Sequence, residues 1–355
     1  MKKLGNNRGI ALLMTLSIIT LLVVTTLELH RRVRSALLAS DTDKNRFTLE
    51  QITTSGIHAG MAMLIRDQED SDIDSIQEDW ANKEKIAELL LDLPFDQGTP
   101  DVTIIDELGK IQVNSLVKFP DSRQFNEVQR SMWEHFLNLA ISPLERTEDT
   151  EPTAIINSIK DWLDSGDDDA TTGLSGAESD YYLDLEEAYP AKNAPLSHLG
   201  EFTMIKGIGQ ALFDGAGGVP GIGKYMTVFG MSITPENRFT FKGAININTA
   251  DHPVIAAMLP VEDEFLAQAI YEYRAEMSDG KFINDLSGTA WYKNAPGCSE
   301  VEIDPGLITN KSDLFRITST ASLSDMKMSI SAIVQRVRIE KTGQWNCKIL
   351  SWQEN

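Results

Sequence analysis

RGIALLMTLSIITLLVVTTLELHRRVR, residues 8–34, decides how the rest of this chain is read. Residues 10–27 carry no charge and are long enough to span a bilayer as a helix, for which about 18 apolar residues suffice. Lys2, Lys3 and Arg8 precede them; Glu28, His30, Arg31, Arg32 and Arg34 follow. Three processing fates differ in where the chain is cut. A secretory signal peptide is cut after its apolar region at small residues, and LELHRRVR offers bulky and charged groups instead. A plain single-pass anchor stays uncut, though cations at both ends give the positive-inside rule little to act on. The third fate is a cut ahead of the apolar segment, between Gly9 and Ile10, which keeps the span in the mature protein.

Composition restricts the partners. The 355 residues leave room for one large or two medium domains beyond the span, and 42% hydrophobic content is enough for packed cores. A net charge of −21 speaks against a protein that neutralises phosphates, because nucleic-acid binding rests on clustered Lys and Arg. Only two cysteines occur, Cys298 and Cys347. Outside the cytosol an even pair forms a disulfide readily, and NAPGCSE and QWNCK read as exposed turns, so a bridge is expected; the alternative is two buried thiols.

Apolar groups recur at helical spacing through Leu37, Leu38, Phe47, Ile52, Ile57, Met61 and Leu64, so one long helix is expected to leave the membrane and enter a globular domain. DVTIIDELGKIQVNSLV, residues 101–117, alternates around Leu108-Gly109 and reads as a two-stranded hairpin. A second strand-rich stretch covers residues 315–340, and helical signals such as EVQRSMWEHFLNLAI and PTAIINSIKDWLDS lie between. The expected division is a leader over 1–9, a transmembrane helix over 10–30, a continuing helix and first strands over 31–117, an all-α insertion over 118–300 and closing strands over 301–355. That is an α+β fold.

The densest chemistry is DWLDSGDDDATTGLSGAESDYY, residues 161–182. Asp161, Asp164, Asp167, Asp168, Asp169 and Glu178 crowd one glycine-bearing loop, with Asp180 just beyond. Carboxylates this close repel unless neutralised, and calcium, with about 6–8 oxygen ligands in loose geometry, suits them better than magnesium. Soft metals lack nearby Cys or His. The spacing is not that of an EF-hand, since the glycine falls at the seventh loop position instead of the sixth. A solvated acidic loop is the alternative on composition alone. Elsewhere the histidines are scattered, Ser197-His198 stands alone, and KGIGQ lacks the lysine-hydroxyl ending of a phosphate loop, so no enzyme motif is found.

The leader and span together resemble a type IV pilin-like protein, and specifically the minor pseudopilin K family of type II secretion systems. Most pseudopilins carry a glutamate at the fifth mature position, here Met14, and the K subunit is the member expected to lack it. DWLDS followed by GAESDYY is similar to the family's calcium-binding segments, with Gly166 standing where a second aspartate is frequent. The resemblance implies a pseudopilin fold interrupted by a large insertion; cleavage after Gly9 by a prepilin peptidase, with methylation of Ile10; and anchorage by inner-membrane lipid with the head in the periplasm. It implies calcium on Asp164, Asp167, Asp168, Glu178 and Asp180. Its expected partners are the minor pseudopilins I and J, H as well, and the exported proteins, with no enzymatic activity. LGEFTMIKGIGQALF and the segment opening KGAININTADHPV also resemble helix-hairpin-helix repeats. Glu262, Asp263 and Glu264 beside the second turn would repel phosphate, so these are read as packing units without nucleic acid. The alternatives are a tip minor pilin of a type IV pilus and a membrane-anchored helix-hairpin-helix DNA-binding protein.

Overall fold

The computed structural model describes residues 8–91, 95, 98–120, 122–141, 148–166 and 171–354. A single helix, α1 (Arg8–Asp70), runs for 63 residues, about 95 Å at 1.5 Å per residue. Its first half is solvent-exposed throughout, as an apolar rod fit to cross a membrane must be when no lipid surrounds it. From Leu49 onward one face is buried: Leu49, Ile52, Ile57 and Leu64 are inaccessible to solvent.

That face lies on a four-stranded antiparallel sheet made of β1 (Asp101–Asp106), β2 (Leu314–Leu323), β3 (Met326–Arg338) and β4 (Trp345–Glu354), in that spatial order. Alternation divides β2 between two environments. Phe315, Ile317, Ser319 and Ala321 turn toward α1 and are buried. Thr318 and Thr320 face the other way and bond Ser331 and Ser329 across the strand pair, at 3.4 and 2.9 Å. Gly56 and Gly60 let the helix approach closely, because a Cβ on Gly56 would stand 2.3 Å from Ser319 Oγ and one on Gly60 2.9 Å from Ile317. Helix α2 (Lys83–Leu91) covers β1 with Ile86 and Leu90.

The hairpin expected over 101–117 does not form. β1 pairs instead with β2, Ile104 opposite Ile317, while Ile111–Gln112 leaves the sheet to pair in parallel with Met226–Thr227. Alternation marks a strand but not its partner, and the better partner here lies two hundred residues downstream.

Between β1 and β2 sits a second body with its own core around Trp133, Phe136, Ile155, Ile159, Tyr182 and Phe202. Its helices are α3 (Glu127–Ile141), α4 (Pro152–Leu163), α5 (Ser179–Leu183), α6 (Gln210–Asp214), α7 (His252–Met258) and α8 (Ala267–Tyr273). The expectation of an all-α insertion is corrected: five two-stranded pairs are interleaved with these helices, two of them parallel. Each strand of these pairs is only two or three residues long, too short for a periodic signal to register.

A buried polar seam joins the two bodies. Asp106, at the end of β1, accepts hydrogen bonds from Leu108 N (2.7 Å), Asn246 Nδ2 (2.8 Å) and Thr249 Oγ1 (2.7 Å). Next to it Glu107 is held between Lys110 and Arg316, at 2.7 and 2.8 Å, and accepts from Thr227 Oγ1 at 2.7 Å. Burial alone would raise the Glu107 carboxyl, but the two cations hold it below its ordinary value. On the α1 side Arg336 reaches Asp67 at 3.1 Å, also pairs with Asp74, and lies 4.7 Å over the Phe315 ring.

The expected disulfide is also corrected: both cysteines are free and buried. Cys298 belongs to the core of the second body and Cys347 to the core between α1 and the sheet. Cys347 Sγ rests 3.8 Å from the carbonyl of Met61, so the strand that reads as an exposed turn packs under the long helix.

Candidate metal centre

Helix α4 begins with Pro152 in its first turn, where a missing N–H costs nothing. Eleven of its residues later in the chain order it ends at Leu163, and Asp161 and Asp164 emerge together at that end. Three positions apart on a helical path, the two carboxylates share one side. The chain returns through Gly173 and Gly176, and Glu178 precedes α5. The carboxylate oxygens of Asp161, Asp164 and Glu178 then lie within 4.8 Å of one another, all three residues being buried.

An aromatic floor fixes this geometry. Trp162 meets Tyr182 edge to face with ring centres 5.1 Å apart, and Tyr189 stacks on Tyr182 at 5.4 Å. The DW and YY pairs of the sequence are thus structural supports, placing the acids that flank them. Thr172 N–H donates to both oxygens of Asp161, at 3.1 and 3.2 Å, and Gly166 N–H donates to Asp164 Oδ1 at 3.1 Å. Lys160 Nζ bonds Asp164 Oδ2 and Thr172 Oγ1, both at 2.8 Å. Burial raises the Asp161 carboxyl above its usual range, with the Thr172 bonds pulling the other way. Gly176 is required by closeness: a Cβ there would stand 2.1 Å from Asp161 Oδ2.

Of the residues expected as ligands, Asp164 and Glu178 come together here. Asp180 is exposed in the first turn of α5 and is not in the group. Asp167 and Asp168 lie outside the described residues. Asp161 takes the place the sequence reading did not assign to it; the signal was its three-residue spacing from Asp164. Chemically, three buried carboxylates with one ammonium beside them form an oxygen-rich, net negative pocket suited to a hard cation.

Gly9 and Ile10 lie in the first turns of α1, with Met14 exposed on the same rod. The first helix-hairpin-helix-like unit turns at Gly207, whose φ is +86° and whose Cβ would meet the Asp149 carbonyl at 2.3 Å. The second joins α7 to α8 through an acidic turn, where Glu264 bonds His135 at 2.8 Å.

Residues 109–216, which hold α3, α4 and the carboxylate group, match the family described as type II secretion system, protein K. The fold is similar to that in the crystal structure of the GspK-GspI-GspJ complex from the enterotoxigenic Escherichia coli type 2 secretion system. That similarity has a TM-score of 0.62 and 15% identity, and covers 89% of this chain and 99% of the other. Among curated proteins no match is found.

Proposed function

We propose, for a chain that belongs to the minor pseudopilins of the protein K kind in type II secretion, that it stands at the tip of the pseudopilus. There it joins the minor pseudopilins I and J, with H as a further neighbour, to start and cap the filament that drives folded proteins across the outer membrane. The observation that carries this reading is the shape of the head. A body inserted between β1 and β2 widens the subunit well beyond the α1–sheet unit and would crowd any copy stacked above it. Met14 adds a second argument. Were Gly9–Ile10 cut by a prepilin peptidase and Ile10 methylated, Met14 could not neutralise a neighbour's terminal amine within the bilayer, where an uncompensated charge is costly. A subunit with neither the clearance nor the carboxylate for the shaft fits its end. In this reading α1 is the single inner-membrane span, the head is periplasmic, and the chain is a structural component without catalytic chemistry.

Calcium is part of the proposal. Asp161, Asp164 and Glu178 would supply oxygen ligands, and the aspartates at 167 and 168 follow directly in the chain. A bound cation would remove the repulsion among three buried acids and fix the loop that carries them. The Gly207 and Asp149 contact supports reading the first hairpin unit as internal packing, since a chain carbonyl occupies the space a phosphate would need.

Crosslinking tests the placement. Photo-crosslinkers at exposed positions of the insertion, such as Leu174 and Phe265, should report partners at one end of assembled filaments only; adducts along the shaft would refute it. For the metal, calcium should raise the melting temperature of the detergent-solubilised full chain, and Asp164→Ala with Glu178→Ala should abolish the rise. A melting curve indifferent to calcium and chelator would refute that part.

A further inference from the structure

The cations that follow the apolar span have no role in the fold, and their arrangement is specific. His30, Arg31, Arg32 and Arg34 are all exposed on α1. Arg32 pairs with Glu28 at 3.0 Å; among the described residues none pairs with His30, Arg31 or Arg34. At about 100° per residue, Arg34 falls between His30 and Arg31 on one face of the helix, while Arg32 lies round the helix from them; Glu28, three residues before Arg31, borders that face and is paired with Arg32. Arg31 and Arg34, with the His30 ring beside them, therefore form a compact cluster of hydrogen-bond donors, with Leu27 directly below it. Asp41 is the first acid on that face, about 10 Å further along the axis.

Depth follows from the same geometry. Residues 10–27 cover about 27 Å, close to the hydrocarbon thickness of a bilayer of about 30 Å. His30 through Arg34 then lie about 5–10 Å beyond Leu27, at the level of the headgroup layer and within reach of flexible arginine side chains. The chain as a whole has a net charge of −21 although its first 34 residues are net basic, so the part beyond them is strongly acidic and would be repelled by an anionic membrane surface. A cation cluster at this one depth runs against that overall charge. It also opposes the charge asymmetry that commonly orients a span, since the leader at the other end is basic too.

We propose that His30, Arg31 and Arg34 form a binding site for the phosphate of an anionic phospholipid, held at the membrane surface where α1 enters the aqueous phase. Arg31 and Arg34, three residues apart, bracket one headgroup, and His30 completes the face. Such contacts hold the base of the rod at a fixed depth and offset the repulsion between the acidic head and the membrane. The proposal rests on α1 being the membrane span.

The test uses the full chain reconstituted in phosphatidylcholine vesicles that contain a trace of spin-labelled phosphatidylglycerol or spin-labelled phosphatidylcholine. The motionally restricted fraction of each lipid gives the preference. The wild type should favour phosphatidylglycerol by about fivefold or more, falling toward equality at 0.5 M salt, since each surface cation contributes about a fivefold gain. Arg31→Gln with Arg34→Gln should remove most of that preference, and Lys2→Gln with Lys3→Gln should keep it. Equal restriction of both lipids by the wild type overturns the proposal, as does a preference that survives the arginine changes or vanishes with the leader changes. Alkaline extraction of the same vesicles separates the premise: a chain that is released was never spanning, and the proposal falls with it.

Discussion

Asn246 donates its side-chain amide to Asp106 Oδ2 at 2.8 Å and to the carbonyl of Asp74 at 3.0 Å, so one residue of the inserted body ties β1 and the segment after α1 together. Its backbone adds a third tie, from Asn246 N to Leu108 O at 2.8 Å. The ININTA stretch that resembles the lead-in to a nucleic-acid module is here a buried clamp. Replacing Asn246 by Ala leaves Asp106 Oδ2 with Thr249 Oγ1 as its remaining donor and takes the side-chain donor from the Asp74 carbonyl, which costs about 1–3 kcal/mol. Asn246→Asp should cost more than Ala, because it sets a second carboxylate beside Asp106. Urea denaturation followed by tryptophan fluorescence checks both.

The carboxylate pocket predicts two variants with different signatures. Gly176→Ala puts a methyl where Asp161 Oδ2 lies, so the calcium-dependent rise in melting temperature should shrink while every ligand is still present. Asp161→Asn keeps the size, lowers the repulsion and removes one ligand charge. Without calcium it should melt higher than the wild type, and with calcium lower. Differential scanning fluorimetry in calcium and in chelator separates the two effects.

A third prediction concerns pH. Burial, reinforced by Glu78 and its neighbouring acid, lifts the carboxyls of both Asp67 and Asp74 to about 7, against the pull of Arg336. The folded chain therefore holds these protons more tightly than the unfolded one. Their contribution to stability is full below the ordinary aspartate value near 3.8 and is lost as pH rises through about 7. Asp67→Asn, which keeps an oxygen for Arg336, should flatten the decline in melting temperature between pH 5 and pH 8 relative to the wild type. An identical slope in both proteins would contradict the assignment.

The two thiols give a fourth. Burial pushes the Cys347 thiol up to about 11, and the Cys298 thiol is raised by burial as well. Native protein should take up iodoacetamide slowly at neutral pH. Unfolded without reductant, it should take up two alkyl groups by mass spectrometry, one for each free cysteine.

What could be read from the chain follows the physics of each signal. The span and the helix beyond it were legible because an uninterrupted apolar run and a long helical repeat are local patterns. The Asp164 and Glu178 pair was legible from the acidic loop and the family resemblance. The β1–β2 pairing was not, because the alternation of Val102 and Ile104 is equally satisfied by a nearby or a distant strand. Cys347 was misread for a related reason: QWNCK is polar in sequence, yet alternate residues of an edge strand face opposite environments, and Cys347 faces α1. Arg336 shows the same limit, since a buried arginine is recognisable only once Asp67 and Asp74 have been brought to it from α1 and the segment that follows.

Glu107 and Arg316 are 209 positions apart, yet they flank adjacent strands of one sheet. This separation makes assembly order a consequence of topology. As the chain emerges from its amino end, α1 and β1 arrive early, and the three strands that complete their core come last. Until then Val102, Ile104 and the Leu49–Leu64 face have only each other, Trp80 and α2 for cover, without the three strands that complete the sheet, and closing so long a loop is slow. The growing polypeptide thus carries an open sticky edge through most of its synthesis, and loss of even its final forty residues would leave that edge permanently bare.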